Sequence, residues 1–263
     1  MPLLNFLNKP KTLSLQPERI LAVGDVHGCA KALKRLTEVV NPTERDLLVY
    51  LGDYVDKGPD STGVLDFIIA QAKRQPVVCL RGNHEMMMLR SRRSRFEFQQ
   101  WQAAGGWETL LAYGLTTESG WKKLIPPEHW QFILDTEEWM ETDHHILVHA
   151  GIDPDRALEK QAEEDLYWNH NVKFPLHRSG KKTIIGHTRL KSGVPLQFKG
   201  GVCVDTGVAD GGWLTCLNIE TGTYWQSNED KDIRSNQLRA WGDPAPAEAS
   251  LDEFKQKRKE VLA

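Results

Sequence analysis

The sequence predicts an α/β fold built around a parallel sheet, and three observations support this class. Apolar runs with the length of buried strands recur along the chain, as at residues 20–23 and 47–51. In the first 85 residues these runs alternate with segments of helical spacing, which is typical of strand–helix–strand units with right-handed crossovers. Runs also end on polar side chains beside glycine, such as Asp53 after Gly52. Because open α/β sheets bind ligands at the carboxyl ends of their strands, these side chains mark the expected site.

The first 85 residues predict three strands, at residues 20–23, 47–51 and 76–80. Between the first two strands, apolar residues at helical spacing predict a helix that ends near Asn41-Pro42. Between the second and third strands, Val64, Leu65 and Ile68 belong to the buried face of another helix, for which Ser61 is the candidate cap.

Residues from about 86 to 140 predict a helical cap inserted over the face of the sheet. Five of the nine tryptophans fall between residues 101 and 139, and this density predicts a helical cluster with its own apolar core. Gly105-Gly106 and Pro126-Pro127 are expected to separate short helices within the cap. The arginine-rich run at residues 90–95 is interpreted as a solvated helix face, with steering of phosphorylated substrates as the alternative.

The second half of the chain predicts six further strands, at residues 139–142, 145–148, 183–185, 202–204, 213–219 and 223–226. The last two strands are expected to form a hairpin. We therefore expect a lead-in at residues 1–18, one domain at residues 19–226 and a charged tail at residues 227–263. Within the tail, residues 251–262 predict a helix of weak amphipathicity.

Composition and charge exclude several classes of protein. The chain has 263 residues, 26% of them charged, and a net charge of −3, so nothing predicts bulk attraction to nucleic acid or to anionic membranes. No apolar run in the sequence reaches the length of a membrane span, and the charge order of the N-terminus is the reverse of a secretory signal. The four cysteines lack CxxC pairing, which favours buried thiols in a reducing compartment. We therefore expect a cytoplasmic monomer.

Six side chains at strand ends form a candidate metal site: Asp25, His27, Asp53, Asn83, His149 and His187. Asp25 and His27 are two residues apart, so in extended backbone they point to the same side and can share one ion. Carboxylate, imidazole and amide ligands together suit manganese, iron or zinc, whereas structural zinc prefers thiolates and calcium prefers more carboxylates. Asp53 is the candidate carboxylate that bridges two ions.

The charge balance of this site points to a phosphate ester as the substrate. Two divalent ions bring four positive charges and Asp25 and Asp53 cancel two, so about two charges remain for a phosphate dianion. Because two-metal sites lower the pKa of a bridging water, the predicted reaction is attack of a metal-bridging hydroxide. His84 is the candidate acid that protonates the leaving alkoxide, and Asp56 is the candidate carboxylate that orients it.

Five motifs occur in a fixed order along the chain: Gly24-Asp25-Val26-His27-Gly28, Gly52-Asp53-Tyr54-Val55-Asp56-Lys57-Gly58, Arg81-Gly82-Asn83-His84-Glu85, His149-Ala150-Gly151 and Gly186-His187-Thr188. Over about residues 20–226 the chain thereby resembles the phosphoprotein phosphatase family of calcineurin-like metallophosphoesterases, and residues 101–114 resemble the cap segment of its bacterial members. The resemblance implies a β-sandwich flanked by helices in four layers, αββα, and two manganese ions. By motif, it implies one ion on Asp25, His27 and Asp53, a second ion on Asp53, Asn83, His149 and His187, and His84 with Asp56 as the acid pair.

Two positions depart from the pattern of this family. Lys57 stands where the family usually has an arginine, and lysine keeps the charge but loses the bidentate geometry of a guanidinium. His170 stands where a second arginine is expected. We interpret both residues as contacts to the substrate phosphate, with a grip that is weaker or, through His170, dependent on pH.

The expected function is hydrolysis of phosphate monoesters, with phosphoserine or phosphothreonine in proteins as the leading substrate and small phosphate esters as the other class. Symmetrical cleavage of diadenosine tetraphosphate is one alternative, since a tryptophan of the cap could stack on a nucleobase. A non-catalytic scaffold that binds phosphorylated partners is the other, and only the two departures favour it. The remaining histidines are interpreted as surface residues rather than ligands; among them are His129, His144, His145 and His177.

Overall fold

Two β-sheets packed face to face, with helices on the outer faces, form the four-layer αββα fold that the family resemblance implies. The computed structural model describes residues 17–115, 120–239 and 241. Most of the expected lead-in and the helix expected at residues 251–262 lie outside these described residues. The longest helix in these ranges has 12 residues, and no helix there combines the length and the hydropathy that crossing a bilayer requires.

The described residues contain eleven strands: β1 (Ile20–Val23), β2 (Leu47–Tyr50), β3 (Val77–Cys79), β4 (Trp139–Glu141), β5 (His145–Val148), β6 (Lys182–Ile185), β7 (Leu196–Phe198), β8 (Gly201–Cys203), β9 (Leu214–Asn218), β10 (Thr223–Ser227) and β11 (Ile233–Gln237). The first sheet has the order β11-β10-β9-β1-β2-β3, and β1, β2 and β3 run parallel as predicted. The second sheet has the order β4-β5-β6-β8-β7, with β5, β6 and β8 parallel.

Seven α-helices accompany these strands in the described ranges: α1 (Ala30–Val40), α2 (Ser61–Ala72), α3 (Asn83–Arg90), α4 (Arg95–Trp101), α5 (Trp107–Ala112), α6 (Pro127–Leu134) and α7 (Glu163–Tyr167). Helices α1 and α2 connect the three parallel strands of the first sheet. The π-helical segment Gln102–Gly106 joins α4 to α5 within the cap region. The predicted cap of α2 is wrong by one position, because the carboxylate of Asp60 accepts the N–H of Gly63 at 2.8 Å and Ser61 is already helical.

The apolar core follows the alternation of side chains along the strands. In β1, Leu21 and Val23 pack in the cluster that includes the helices, whereas Ile20 and Ala22 pack in the cluster between the sheets. In β5, Leu147 belongs to the cluster between the sheets, and its neighbours on the strand pack on the outer face. Burial on both faces explains why these strands read as continuous apolar runs.

Two strands lie outside the sequence expectations. The edge strand β7 has only three residues, and β11 is mostly exposed with the polar sequence IRSNQ, so neither carries an apolar pattern. β11 pairs with β10 from Thr223 opposite Gln237 to Ser227 opposite Ile233. The first sheet therefore continues beyond residue 226, where the sequence placed the start of the tail.

Candidate active site

Loops that follow five strands carry the six predicted metal ligands to one edge of the molecule. Asp25 and His27 follow β1, Asp53 follows β2, Asn83 begins α3 after β3, His149 follows β5 and His187 follows β6. The first four come from the first sheet and the two later histidines from the second. The site therefore lies where the carboxyl ends of both sets of parallel strands meet.

Asp53 is at the centre of this arrangement. Its Oδ2 lies 3.3 Å from Nε2 of His27, and its Oδ1 lies 3.5 Å from Nε2 of His149. Among the described residues, two groups of side chains have ligand atoms close enough to hold an ion, and Asp53 belongs to both. His27, Asp53 and His84 form the first group, and Asp53, His149 and His187 form the second. The carboxylate is thus placed between two candidate cation sites.

The tautomers of the two flanking histidines fit a cation on each side of Asp53. Nδ1 of His27 contacts the carbonyl of Val55 at 2.9 Å, and Nδ1 of His149 contacts the carbonyl of Leu51 at 2.9 Å. A carbonyl accepts only, so Nδ1 carries the proton in both rings, and burial holds the pKa of both imidazoles well below the usual value. Each Nε2 lone pair therefore faces a carboxylate oxygen, an arrangement that a metal ion between the two atoms would stabilise.

Asn83 adjoins two histidines of the second group, whereas Asp25 lies outside both groups. Oδ1 of Asn83 is 3.0 Å from Nε2 of His149 and 3.1 Å from Nδ1 of His187. The carboxylate of Asp25 accepts the backbone N–H of His187 at 3.0 and 3.1 Å. The expectation that Asp25 and His27 share a face of extended backbone is wrong, because His27 has φ 43°.

Close approach of the chain explains the glycines in these motifs. A Cβ added at Gly82 would overlap Oδ1 of Asp53, and one added at Gly186 would overlap Oδ1 of Asp25. Glu85, for which the sequence predicted no role, connects the turn at Gly82 to the loop that carries Asp53. Its buried carboxylate accepts the N–H groups of Gly82, Asp53 and Tyr54 at 2.8 to 2.9 Å. Two sequence signals could have found it: it ends the motif Arg81-Gly82-Asn83-His84-Glu85, and it stands at the third position of α3, where acidic side chains often bond back to the cap.

His84 and Asp56 form the buried pair that the sequence predicts. Nδ1 of His84 lies 2.8 Å from Oδ2 of Asp56, and Nε2 points toward Asp53 Oδ2 at 3.9 Å. Burial lowers the pKa of His84 to about 3 and raises the pKa of Asp56 to about 7. Because one hydrogen bond joins the two groups, they take up a proton as a unit. The protonated pair can present an N–H at Nε2 on the side of Asp53.

Two cap residues that sequence reasoning missed also contact Asp56. The indole N–H of Trp101 donates to its carboxylate at 2.9 Å, and the hydroxyl of Thr109 donates to it at 2.7 Å. Trp101 was expected in the cap core, where Trp121 indeed packs against it with ring centroids 5.3 Å apart. Trp107 is instead 42% exposed, so the tryptophans of the cap do not all belong to one core.

Lys57 and His170 each lie beside a predicted metal ligand. The ammonium group of Lys57 is 2.9 Å from Nε2 of His27. The exposed ring of His170 stacks on His187, with centroids 4.2 Å apart and planes at 15°. Both residues therefore adjoin predicted metal ligands, one at each group.

Three of the histidines interpreted as surface residues are buried. His129 lies between the hydroxyl of Tyr113 and the carboxylate of Asp66, at 2.5 and 3.0 Å. His145 and His177 are 6% and 5% exposed. None of them belongs to either of the two groups found among the described residues, so the part of that interpretation that excludes them as ligands agrees with the structure.

Comparison with known proteins identifies the family. Residues 18–208 match the family model described as calcineurin-like phosphoesterase, a range that contains all five motifs. The chain belongs to this family. It is 32% identical over 211 residues to serine/threonine-protein phosphatase 1 of Salmonella typhimurium, which covers 76% of this chain and 92% of that protein. It is 28% identical over 222 residues to the asymmetrical bis(5'-nucleosyl)-tetraphosphatase PrpE of Anoxybacillus flavithermus, covering 74% and 88% of the two chains.

A solved structure supports the same fold. The cold-active protein-tyrosine phosphatase of a psychrophilic Shewanella superposes with a TM-score of 0.58 at 18% identity, over 85% of this chain and 81% of that one. The family match over residues 18–208 and the Salmonella relative show that the protein is a metallophosphoesterase, a hydrolase of a metal-dependent family, as the sequence predicted.

Proposed function

We propose that this metallophosphoesterase hydrolyses phosphate monoesters, with phosphoserine or phosphothreonine in proteins as its substrates. The observation that carries the proposal is Asp53, which has an unprotonated imidazole nitrogen beside each carboxylate oxygen and the His84–Asp56 pair next to it. The similarity to the Salmonella protein phosphatase supports phosphoproteins as the substrate class.

Two divalent ions fit the donor atoms of the site, and we propose manganese for both. By the motifs of the family, Asp25, His27 and Asp53 would hold one ion, and Asp53, Asn83, His149 and His187 the other. Asp25 would have to turn its carboxylate from the backbone N–H of His187 toward the ion, because it lies outside the group that contains His27 and Asp53. Bound there, the ions would supply Lewis-acid charge and an activated water at neutral pH. Imidazole, carboxylate and amide ligands without thiolate favour manganese over structural zinc.

His84 is proposed as the acid for the leaving group. As the bond between phosphorus and the leaving oxygen breaks, that oxygen takes the proton from Nε2 of His84. The proton between Nδ1 of His84 and the carboxylate of Asp56 stays within the pair, so the pair has lost one proton when the step is complete. Serine and threonine alkoxides are strong bases, and their departure therefore needs this proton.

Lys57 and His170 are proposed to bind the phosphate from two sides. Lys57 contributes its charge beside His27, and the exposed ring of His170 stacks on His187. A phosphate that spans the two groups would thus be held by residues from two separate loops.

We further propose a cytoplasmic, monomeric enzyme. All four cysteines are buried free thiols, which agrees with a reducing compartment. Both groups of candidate ligands are complete within one chain, so the site needs no second copy.

Hydrolysis of dinucleoside tetraphosphates is the second candidate, and Trp107 is the observation that favours it. Its indole is 42% exposed, and the carbonyl of Gly105, two residues earlier, accepts the N–H of Lys57 at 3.1 Å. A nucleobase could stack there while a phosphate reaches Lys57. The relative from Anoxybacillus is named for the asymmetrical reaction, so the products would also test whether any cleavage is symmetrical, which is the alternative that the sequence left open.

Two substitutions test the mechanism. Asp53→Asn should abolish turnover and reduce bound metal, because it removes the charge shared by both groups. His84→Asn should slow phosphopeptide hydrolysis by about 10²–10⁴-fold with the metal content unchanged. Metal analysis of both variants separates the roles: metal loss in the His84 variant would make His84 a ligand, and activity in both variants would reject the proposed site.

A parallel assay tests the substrate. A phosphoserine peptide and diadenosine tetraphosphate are compared at equal enzyme and manganese concentrations, with nucleotide products separated by chromatography. We expect the larger kcat/KM for the peptide. A large preference for the dinucleotide, lost in Trp107→Ala, would establish the second candidate instead.

A further inference from the structure

We infer that the cap belongs to the catalytic machinery: Trp101 and Thr109 are positioning residues that hold Asp56, and through it the ring of His84, in the geometry for proton transfer. This inference rests on the proposed role of His84 and Asp56 as the acid pair. It assigns to the cap a task in the chemical step, in addition to covering the sheet.

Trp101 fixes the carboxylate of Asp56 from the side of α4. Its indole N–H lies 2.9 Å from Oδ2 and 3.1 Å from Oδ1, and its side chain is fully buried. A Cβ added at Gly106 would overlap the indole ring, so the ring packs directly on the backbone of the π-helical segment. The position of the donor is therefore set by the fold of the cap.

Thr109 fixes both the carboxylate and the backbone of Asp56. Its hydroxyl donates to Oδ1 at 2.7 Å and accepts the N–H of Asp56 at 2.8 Å, while the hydroxyl of Ser61 lies 2.9 Å away. One donor and two acceptor sites of the hydroxyl are thus used. Valine has the same shape and can replace none of these bonds.

The loop that carries Asp56 needs such support because its backbone is unfavourable. Asp56 and Lys57 have φ values of 73° and 64°, in the left-handed region that costs non-glycine residues about 1–2 kcal/mol each. Thr109 bonds to the N–H of Asp56, and Gly105 bonds to the N–H of Lys57 at 3.1 Å. Contacts from the cap therefore hold both strained residues.

Loss of this support should affect proton transfer more than phosphate binding. A phosphoserine peptide releases a basic alkoxide and needs the acid, whereas p-nitrophenyl phosphate releases a stable phenolate and needs it little. The residues that position the acid should therefore matter for the first substrate and not for the second. A residue with a purely structural role would affect both substrates alike.

The test compares Trp101→Phe and Thr109→Val with matched controls. For each variant we expect kcat for the phosphoserine peptide to fall about tenfold or more, with KM and metal content unchanged. The kcat for p-nitrophenyl phosphate should stay within about threefold of the native value. Thr109→Ser should retain activity on both substrates, because it keeps the hydroxyl. Trp121→Phe, in the same aromatic cluster, should leave both rates unchanged.

The same substitutions in an Asp56→Asn background decide how the effect arises. If Trp101 and Thr109 act through Asp56, they should add little to its loss. Equal losses on both substrates, or full additivity with Asp56→Asn, would overturn the inference while leaving the acid pair intact. An Asp56→Asn enzyme with no selective loss on the peptide would instead reject the proposed acid pair itself.

Discussion

Lys57 is the residue at which this chain departs from the arginine that the resemblance implies. Its ammonium group lies 2.9 Å from Nε2 of His27, so its charge already faces the site. An ammonium is a point charge, whereas a guanidinium binds two phosphate oxygens at once. The lysine at this position therefore changes the geometry of phosphate binding but keeps the positive charge.

Substitution of Lys57 should change phosphate binding in a defined order. Lys57→Ala should weaken inhibition by inorganic phosphate about tenfold or more, because one charge-assisted hydrogen bond is lost. Lys57→Arg should bind phosphate more tightly than Lys57→Ala. The measurement is the inhibition constant of phosphate against p-nitrophenyl phosphate, with exposed Lys34→Ala as the control. Unchanged inhibition in Lys57→Ala would place the phosphate elsewhere.

The residue types of the site were predictable because each stands in a short motif. The chemical roles of Asp53, His84 and Asp56 could be predicted from their residue types and from the glycines near them in the sequence. Trp101 and Thr109 could not be assigned this way, since they lie 45 and 53 residues from Asp56 and only the folded cap brings them to it. The left-handed backbone of His27 was equally invisible, because it results from contacts of its loop with the loop after β2.

At the scale of elements, the turn from β3 into α3 is the most tightly packed part of the site. The carboxylate of Glu85 accepts hydrogen bonds from backbone N–H groups of this turn and of the loop after β2. Gly82 has a negative φ of −93°, so it is required for space rather than for an unusual backbone. The close approach of Asp53 to this backbone explains the glycine.

Gly82→Ala should therefore disturb Asp53 without straining the backbone. We expect loss of bound metal, a fall in activity of about 100-fold or more, and destabilisation by about 1–3 kcal/mol from overpacking. Gly151→Ala is the matched control, because the nearest atom to its Cβ is 3.6 Å away, an ordinary contact. Chemical denaturation and metal analysis compare the two. Equal effects would show that the space at Gly82 is not the cause.

Strands buried on both faces can be predicted from the sequence, whereas exposed edge strands cannot. Buried strands such as β1 and β5 are apolar throughout and were predicted, because both faces pack in the core. The edge strand β11 depends on pairing with β10 rather than on burial, so its polar sequence resembles a tail. Because backbone hydrogen bonds form with any side chain, an edge strand of this kind cannot be predicted from its amino-acid composition.

At the scale of the whole molecule, the site depends on the packing of the two sheets. Asp53 belongs to the first sheet, and His149 and His187 belong to the second. Leu147 and Ile184, in the strands that carry these histidines, pack with Val49 of β2 between the sheets. Any separation of the sheets would therefore separate the ligands, and metal binding should in turn stabilise the fold by linkage.

His145, at the other end of β5 from His149, makes the stability of the fold depend on pH. It is 6% exposed, its ring stacks on Trp241 with centroids 6.0 Å apart, and burial together with the charge of Lys182 lowers its pKa to about 4. An unfolded histidine has a pKa of about 6.5, so the unfolded chain binds the proton first as the pH falls. The stabilisation is therefore complete above about pH 6.5 and is lost as the pH falls toward 4.

Between pH 7.5 and pH 5 this single group should remove about 2 kcal/mol of stability. His145→Gln should reduce that pH dependence by a similar amount, whereas exposed His144→Gln, which removes only the smallest of the three causes of the lowered pKa of His145, should reduce it much less. The free energy of unfolding in urea, measured at both pH values with a chelator present, gives the comparison. Because His145 lies four residues from His149 along β5, the substitution should alter activity at pH 7.5 little. A pH dependence that is the same in native protein and His145→Gln would mean that other buried groups account for it.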